Sequence, residues 1–146
     1  MFELRPASAS DFPAVRSLIY QVGINPTGLH WPRFVVAIDE SGRVIGCGQV
    51  KPHGDGSQEL ASIAVLPEWR KRRVASTIIE YLLETHPRPL YLTCRASLEA
   101  FYERFGFETI TASGMPPYFR RIALVARWLK RMKFFSEDLL VMRLDD

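Results

Sequence analysis

Cysteine is scarce in this chain, and so are long apolar runs. Its 146 residues include two cysteines, Cys47 and Cys94, each inside an apolar, strand-like stretch. Two such residues exclude a disulfide framework. They read as reduced core side chains, since a catalytic thiol would need a histidine partner that the pattern does not supply. No stretch approaches the ~20 apolar residues of a membrane-spanning helix, and the N-terminus lacks a signal-peptide layout. The expectation is a cytoplasmic protein with no stable membrane association. Charge of one sign is also in short supply. Nineteen Lys and Arg against 16 Asp and Glu leave a net charge of +3. That excess permits an anionic ligand but is too small to indicate a nucleic-acid partner. The three histidines, His30, His53 and His86, show no ligand spacing, and no zinc or calcium pattern occurs, so no metal is expected.

What the chain does contain is an ordinary globular composition, 47% hydrophobic and 24% charged. At this length that predicts one domain spanning 1–146, without repeats or linkers. Residues 3–7 read as a short strand. Ser10 and Asp11 then cap a helix whose apolar positions Phe12, Val15, Leu18 and Ile19 share a face. Gly23, Asn25, Pro26, Gly28 and Pro32 break regular structure across 22–33. Strands follow at 34–38 and 44–50, joined by the hairpin turn Asp39-Glu40-Ser41-Gly42, and another at 60–65 after a turn at 52–57. A helix from Val74 to Thr85 stops at His86-Pro87-Arg88-Pro89, ahead of an apolar strand at 90–94. Joining two strands through a helix favours a parallel pair. A helix at 96–105 ends at Gly106, and 107–111 reads as a strand. Segment 116–133 is basic and amphipathic, with Ile122, Val125, Leu129 and Met132 opposed to its cations. Packing on the sheet with a solvated basic face is the reading adopted; contact with a membrane or an acidic partner is the alternative. A last strand covers 139–144. The sum is an α/β (α+β) protein, a mixed sheet with helices on both faces.

The most informative stretch is Val65-Leu66-Pro67-Glu68-Trp69-Arg70-Lys71-Arg72-Arg73-Val74-Ala75-Ser76. A strand running through a short turn into a helix presents unpaired amides at the positive end of the helix dipole, which is an anion site. Four cations crowd that helix start, where the dipole would prefer acids, so a polyphosphate ligand is one reading and a solvated basic turn the other.

The order of elements, the V-x-P-x-x-R-x-x-x-V-A turn at 65–75 and the later Phe101-Tyr102-Glu103-Arg104-Phe105-Gly106-Phe107 together resemble the GNAT superfamily of acetyl-CoA-dependent N-acetyltransferases. The likeness is to small bacterial and plastid-type members, which share a strand such as Gly46-Cys47-Gly48-Gln49. It implies the GNAT fold, a mostly antiparallel sheet with one parallel, splayed pair. It also implies acetyl-CoA as cosubstrate. Ile63, Ala64 and Val65 would line the acyl-CoA, and Arg70, Lys71, Arg72, Arg73, Val74 and Ala75 would form the pyrophosphate loop, with Ser76 following at the helix start. Tyr102 corresponds to the family's acid and Glu59 to its base, although Glu59 also reads as a solvent-facing strand-end residue and Tyr102 as a buried structural one. Arg73 departs from the family, standing where glycine is usual. A position needing positive φ would strain it, and a glycine needed for close approach would make it an obstruction. Arg95 replaces a common asparagine.

The activity implied is transfer of an acetyl group to a primary amine by direct attack, with a non-catalytic CoA-binding regulatory module as the alternative. A lysine-like amine, with a pKa of about 10.4, is neutral in only about one molecule in 2,500 at pH 7, a deficit of about 4.6 kcal/mol that calls for a base. Trp31, in the irregular loop, and Tyr118, near Pro116 and Pro117, would line the acceptor, or else pack the loops against the sheet. The acceptor is a small-molecule or protein amine. Many relatives are dimers, so a homodimer is compatible.

Overall fold

The computed structural model describes residues 1–146. Seven strands are ordered β1-β2-β3-β4-β5-β7-β6, namely β1 Phe2–Pro6, β2 Phe34–Asp39, β3 Val44–Pro52, β4 Gln58–Val65, β5 Leu90–Arg95, β6 Glu108–Thr109 and β7 Leu139–Leu144. The helices are α1 Phe12–Val22, α2 Val74–Thr85, α3 Glu99–Glu103 and α4 Pro117–Arg131. The sheet is mixed, with β4 and β5 as its parallel pair, Glu59 opposite Tyr91. The chain forms two compact units, residues 1–51 with 60–86, and residues 52–59 with 87–146.

In the first unit β1 runs antiparallel to β2, with Leu4 opposite Ala37, and β2 antiparallel to β3, with Val36 opposite Cys47. Both β2 and β3 are buried almost throughout, so their apolar runs do not alternate with polar residues. Helix α2 starts and stops as its periodicity predicts, burying Val74, Ile78, Ile79 and Leu82. Its close approach depends on the two glycines of β3. A Cβ on Gly46 would meet Val74 Cγ1 at 2.8 Å, and one on Gly48 would meet Ile63 Cδ1 and Ile78 Cγ2 at 2.7 Å. Gly48→Ala is therefore expected to lower unfolding stability by about 1–3 kcal/mol through overpacking, measured by urea denaturation. An unchanged midpoint would show that α2 can retreat without cost.

The entrance to α1 differs from expectation. Asp11 does not cap the helix with its side chain; it turns back toward β1 and the preceding turn. Its carboxylate accepts from Arg5 Nη1 at 2.6 Å and Nη2 at 3.0 Å, and from the Ser8 amide at 2.8 Å. The fork-to-carboxylate pairing with Arg5, opposed by desolvation and helped by Ser8, holds the Asp11 pKa down at about 2.

In the second unit β7 pairs antiparallel with β5, Arg143 opposite Tyr91, and with β6, Met142 opposite Thr109. The strand expected at 107–111 is only two residues long, Glu108–Thr109, and Phe107 ahead of it is buried in the core. The helix expected at 96–105 is split into a 3-10 turn at Ala96–Leu98 and the short α3.

Helix α4 forms where expected, but its buried face is another one. Phe119 and Ala126 are buried, and Phe119 forms a core with Tyr91 and Val141. Val125 and Met132, two of the four residues assigned to the buried stripe, are exposed instead. The second unit meets the aromatic Phe119, one step round the helix from the stripe that the sequence pattern singled out.

Candidate active site

The first unit supplies a strand, a turn and a helix start. β4 ends at Val65, Pro67–Trp69 makes one 3-10 turn, and exposed residues 70–73 lead into α2 at Val74. Lys71 and Arg73 both take φ of 63°, in the left-handed region. Arg73, the departure from the family pattern, thus sits where positive φ is needed, and it bears a strain of about 1–2 kcal/mol there. Its guanidinium does not cross the helix start. It runs along α2 to Glu80, Nη2 to Oε1 at 3.3 Å, while the Arg72 guanidinium lies 5.0 Å over the Trp69 ring.

The first amide to donate within α2 is that of Thr77, to the Arg73 carbonyl at 3.0 Å. The amides of Val74, Ala75 and Ser76 precede that ladder and point out of the positive end of the dipole. A left-handed turn followed by three such amides, with the Arg73 side chain directed elsewhere, fits a diphosphate. Because the cost lies in the backbone angle, Arg73→Gly is expected to be about 1 kcal/mol more stable than Arg73→Ala in thermal unfolding. Equal stability of the two would show that the turn relaxes.

On β4, Ala64 and Val65 are buried and Ile63 half-buried. Ser62 has φ of 59°, which kinks the strand just before them. The kink is held by Gln49, whose Nε2 donates to Ser62 Oγ at 2.8 Å and to the Gly28 carbonyl at 3.3 Å. Lys51 Nζ donates to the Thr27 carbonyl at 3.0 Å. Two buried polar side chains of β3 therefore fasten the irregular loop that leads to Trp31, which begins a 3-10 turn and is 37% exposed.

The second unit supplies the titratable groups. Glu59 is 8% exposed, which sets aside the solvent-facing reading. Its Oε1 lies 2.8 Å from His53 Nε2. An ionised carboxylate only accepts, so Nε2 carries the hydrogen in that contact. The His53 ring is stacked on Tyr118, centroids 3.6 Å apart at 15°, and meets Phe119 edge-on at 5.6 Å. Asp55 ties this turn to α4 by accepting from the Tyr118 amide at 2.9 Å. Bonds from Ser57 and that amide hold Asp55 down at about 2. Two of the expected site residues, Glu59 and Tyr118, are thus joined through a third that sequence reasoning passed over. His53 sits in a turn, six positions before Glu59, and only the hairpin brings the two together. Gln49 and Lys51 were also missed; a polar residue in an apolar strand run was the available signal.

Tyr102 lies on α3, half-buried, with its ring edge-on to Phe101 at 5.1 Å and Phe107 at 6.2 Å. Burial, reinforced by Cys94, pushes its pKa up to about 12. Both cysteines are free and buried, and burial raises Cys47 to about 12 and Cys94 to about 11, so neither is a thiolate at neutral pH. No group of three or more His, Cys, Asp or Glu is arranged to hold a metal ion. No helix is long and apolar enough to cross a membrane.

Comparison with known proteins places these features in a family. The family described as "Acetyltransferase (GNAT) domain" matches residues 30–109, more than half of the chain. No curated protein sequence matches. Among solved structures, Rv2747 from Mycobacterium tuberculosis, in complex with CoA, superposes with a TM-score of 0.77 at 20% identity over 99% of each chain. The ribosomal-protein-S18-alanine N-acetyltransferase from Escherichia coli gives 0.70 at 18% identity over 99% of this chain and 94% of its own. N-acetylglutamate synthase from Neisseria gonorrhoeae, complexed with coenzyme A and N-acetyl-glutamate, gives 0.73 at 20% identity. The chain spans only 36% of that protein's length. These likenesses establish the shared fold, and the family match over residues 30–109 establishes that the chain belongs to the GNAT acetyltransferases.

Proposed function

We propose that the protein is an N-acetyltransferase, residues 1–146 acting as one domain, that moves an acetyl group from acetyl-CoA to a primary amine by direct attack. The observation that carries this reading is the entrance to α2, where three amides lie beyond a left-handed turn at Arg73. A non-catalytic CoA-binding module, the alternative, would follow if Arg73 obstructed the helix start; its course toward Glu80 instead leaves those amides uncovered.

Acetyl-CoA supplies the thioester; the chain's residues bind it and move protons. Amides 74–76 hold the diphosphate, and Ile63, Ala64 and Val65 line the acyl arm. Glu59 accepts the proton of the incoming ammonium, with His53 holding one carboxylate oxygen, so that the other, Oε2, takes the proton. The nitrogen, now neutral, forms its bond to the carbonyl carbon as the carbon–sulfur bond breaks. The electron pair leaves on sulfur, and the second proton that nitrogen must shed passes to that thiolate, leaving the neutral amide and the free coenzyme A thiol. Tyr102 donates its O–H toward that sulfur. Trp31 and Tyr118 line the acceptor. That relatives in this fold include an alanine N-acetyltransferase and a synthase of N-acetylglutamate supports amine acceptors.

Calorimetry with acetyl-CoA and thiol release across a panel of amines test the proposal. Binding with turnover is expected. No heat with any coenzyme A species at millimolar ligand would end it.

A further inference from the structure

We infer that the acceptor is a polypeptide with an acidic, apolar segment that docks along α4 and so delivers its amine to Glu59. The inference rests on the acetyl-transfer reading above. Tyr118, the residue stacked on His53, heads a row that continues through Arg121, Val125, Trp128 and Met132. The spacing of three, four, three and four residues places all five on one helix face, a stripe about 20 Å long.

Beyond Tyr118 this face is unpartnered. Val125 is 55%, Trp128 58% and Met132 56% exposed, and Phe134 and Phe135 extend the apolar surface past the helix end. Large side chains so exposed in one row mark a contact surface rather than scattered surface residues.

Charge identifies the occupant. Residues 110–136 contain six cations and no Asp or Glu. Lys130 is paired with Asp138 at 2.6 Å, and Arg120 donates to backbone carbonyls. Arg121, Arg127, Arg131 and Lys133 are exposed. A second copy of the chain would set these cations against one another. An acidic segment complements them, and its apolar side chains cover Val125, Trp128 and Met132. A small amine would need only the cluster at Tyr118. A stripe that starts at the ring stacked on His53, the partner of the candidate base, and runs four turns away from it suits a ligand with one end at the chemistry and a body beyond.

The test measures binding of two fluorescent peptides of about ten residues to the full chain by anisotropy, each with a free N-terminal amine. One body is rich in Glu and Leu, the other in Lys and Leu. The acidic peptide is expected to bind at least tenfold more tightly, and to weaken with added salt. Arg121→Glu with Arg131→Glu should cost about tenfold, and Trp128→Ala should weaken binding without altering the melting temperature, all three positions being exposed. Equal affinity for the two peptides overturns the inference, as does indifference to the charge reversal. Sedimentation with phosphatidylserine vesicles, or dimerisation lost in Trp128→Ala, overturns it when no peptide binds. Thiol release is read in the same samples. Acidic peptide bound without turnover of any amine upholds the docking surface and refutes acetyl transfer.

Discussion

Replacing Glu59 by glutamine is expected to lower turnover at pH 7 by a factor of about 10² to 10⁴, the usual worth of a positioned general base. The physical ground is the acceptor's own protonation. A primary amine of pKa about 10.4 arrives charged, and an ammonium has no lone pair to attack with. Glu59 is buried beside His53, so its carboxylate meets little competition from water for the proton. Glutamine keeps the volume and can still accept from His53 Nε2, so the fold should survive. The Michaelis constant for acetyl-CoA should not change, because the diphosphate is assigned to residues 70–76 and not to Glu59. The defect should also shrink as pH rises toward 10, since a neutral amine needs no base. Steady-state thiol release between pH 6.5 and 10 measures all three. Wild-type turnover by Glu59→Gln at pH 7 would remove the residue from the mechanism.

The second large effect is expected at Tyr102. Tyr102→Phe should reduce turnover by about 10², with substrate binding intact. Phenylalanine keeps the ring that packs on Phe101 and Phe107, so thermal stability should stay within a degree or so. The raised pKa constrains what the hydroxyl does. With Tyr102 near 12 and a departing thiol near 8.5, complete proton transfer is uphill, so the group acts as a hydrogen-bond donor to the charge growing on sulfur. The sign for pH follows. A group with pKa near 12 stays protonated, and remains a donor, throughout pH 7 to 10. Wild-type activity should therefore show no falling limb in that range that Tyr102→Phe abolishes. Such a limb near pH 9 would mean that the phenol ionises far more easily than its burial allows.

Contacts between sequence neighbours were the most readable part of this protein. The start of α2 at Val74 and its end at Thr85 follow from a single apolar face bounded by a basic turn and a proline pair. The hairpin at 39–42 follows from turn residues. Glycines 46 and 48 could be matched to a family strand, but the reason for them, two helix side chains within 2.8 Å of where a Cβ would stand, exists only once α2 lies on β3.

Helix α4 shows the limit most clearly. Its periodicity admits two apolar rows, one through Phe119 and Ala126, the other through Val125 and Met132. A period of 3.6 reports that apolar residues align, not which row meets a sheet. The row that packs was chosen by Tyr91 and Val141, far away in sequence. The pair of His53 and Glu59 is similar. Six positions apart across a turn, they have no local spacing that marks them as partners.

What the chain's order of residues determined by itself was the set of elements, the basic turn before α2 and the family likeness, because each depends on neighbours within a few turns of backbone. What only the tertiary structure decided was that Arg73 takes a left-handed angle and leans on Glu80, that Glu59 is buried against His53, and that α4 turns an apolar, cationic face to solvent. Those outcomes are set by contacts between distant segments, and no local pattern encodes which side chain a distant strand will bring near.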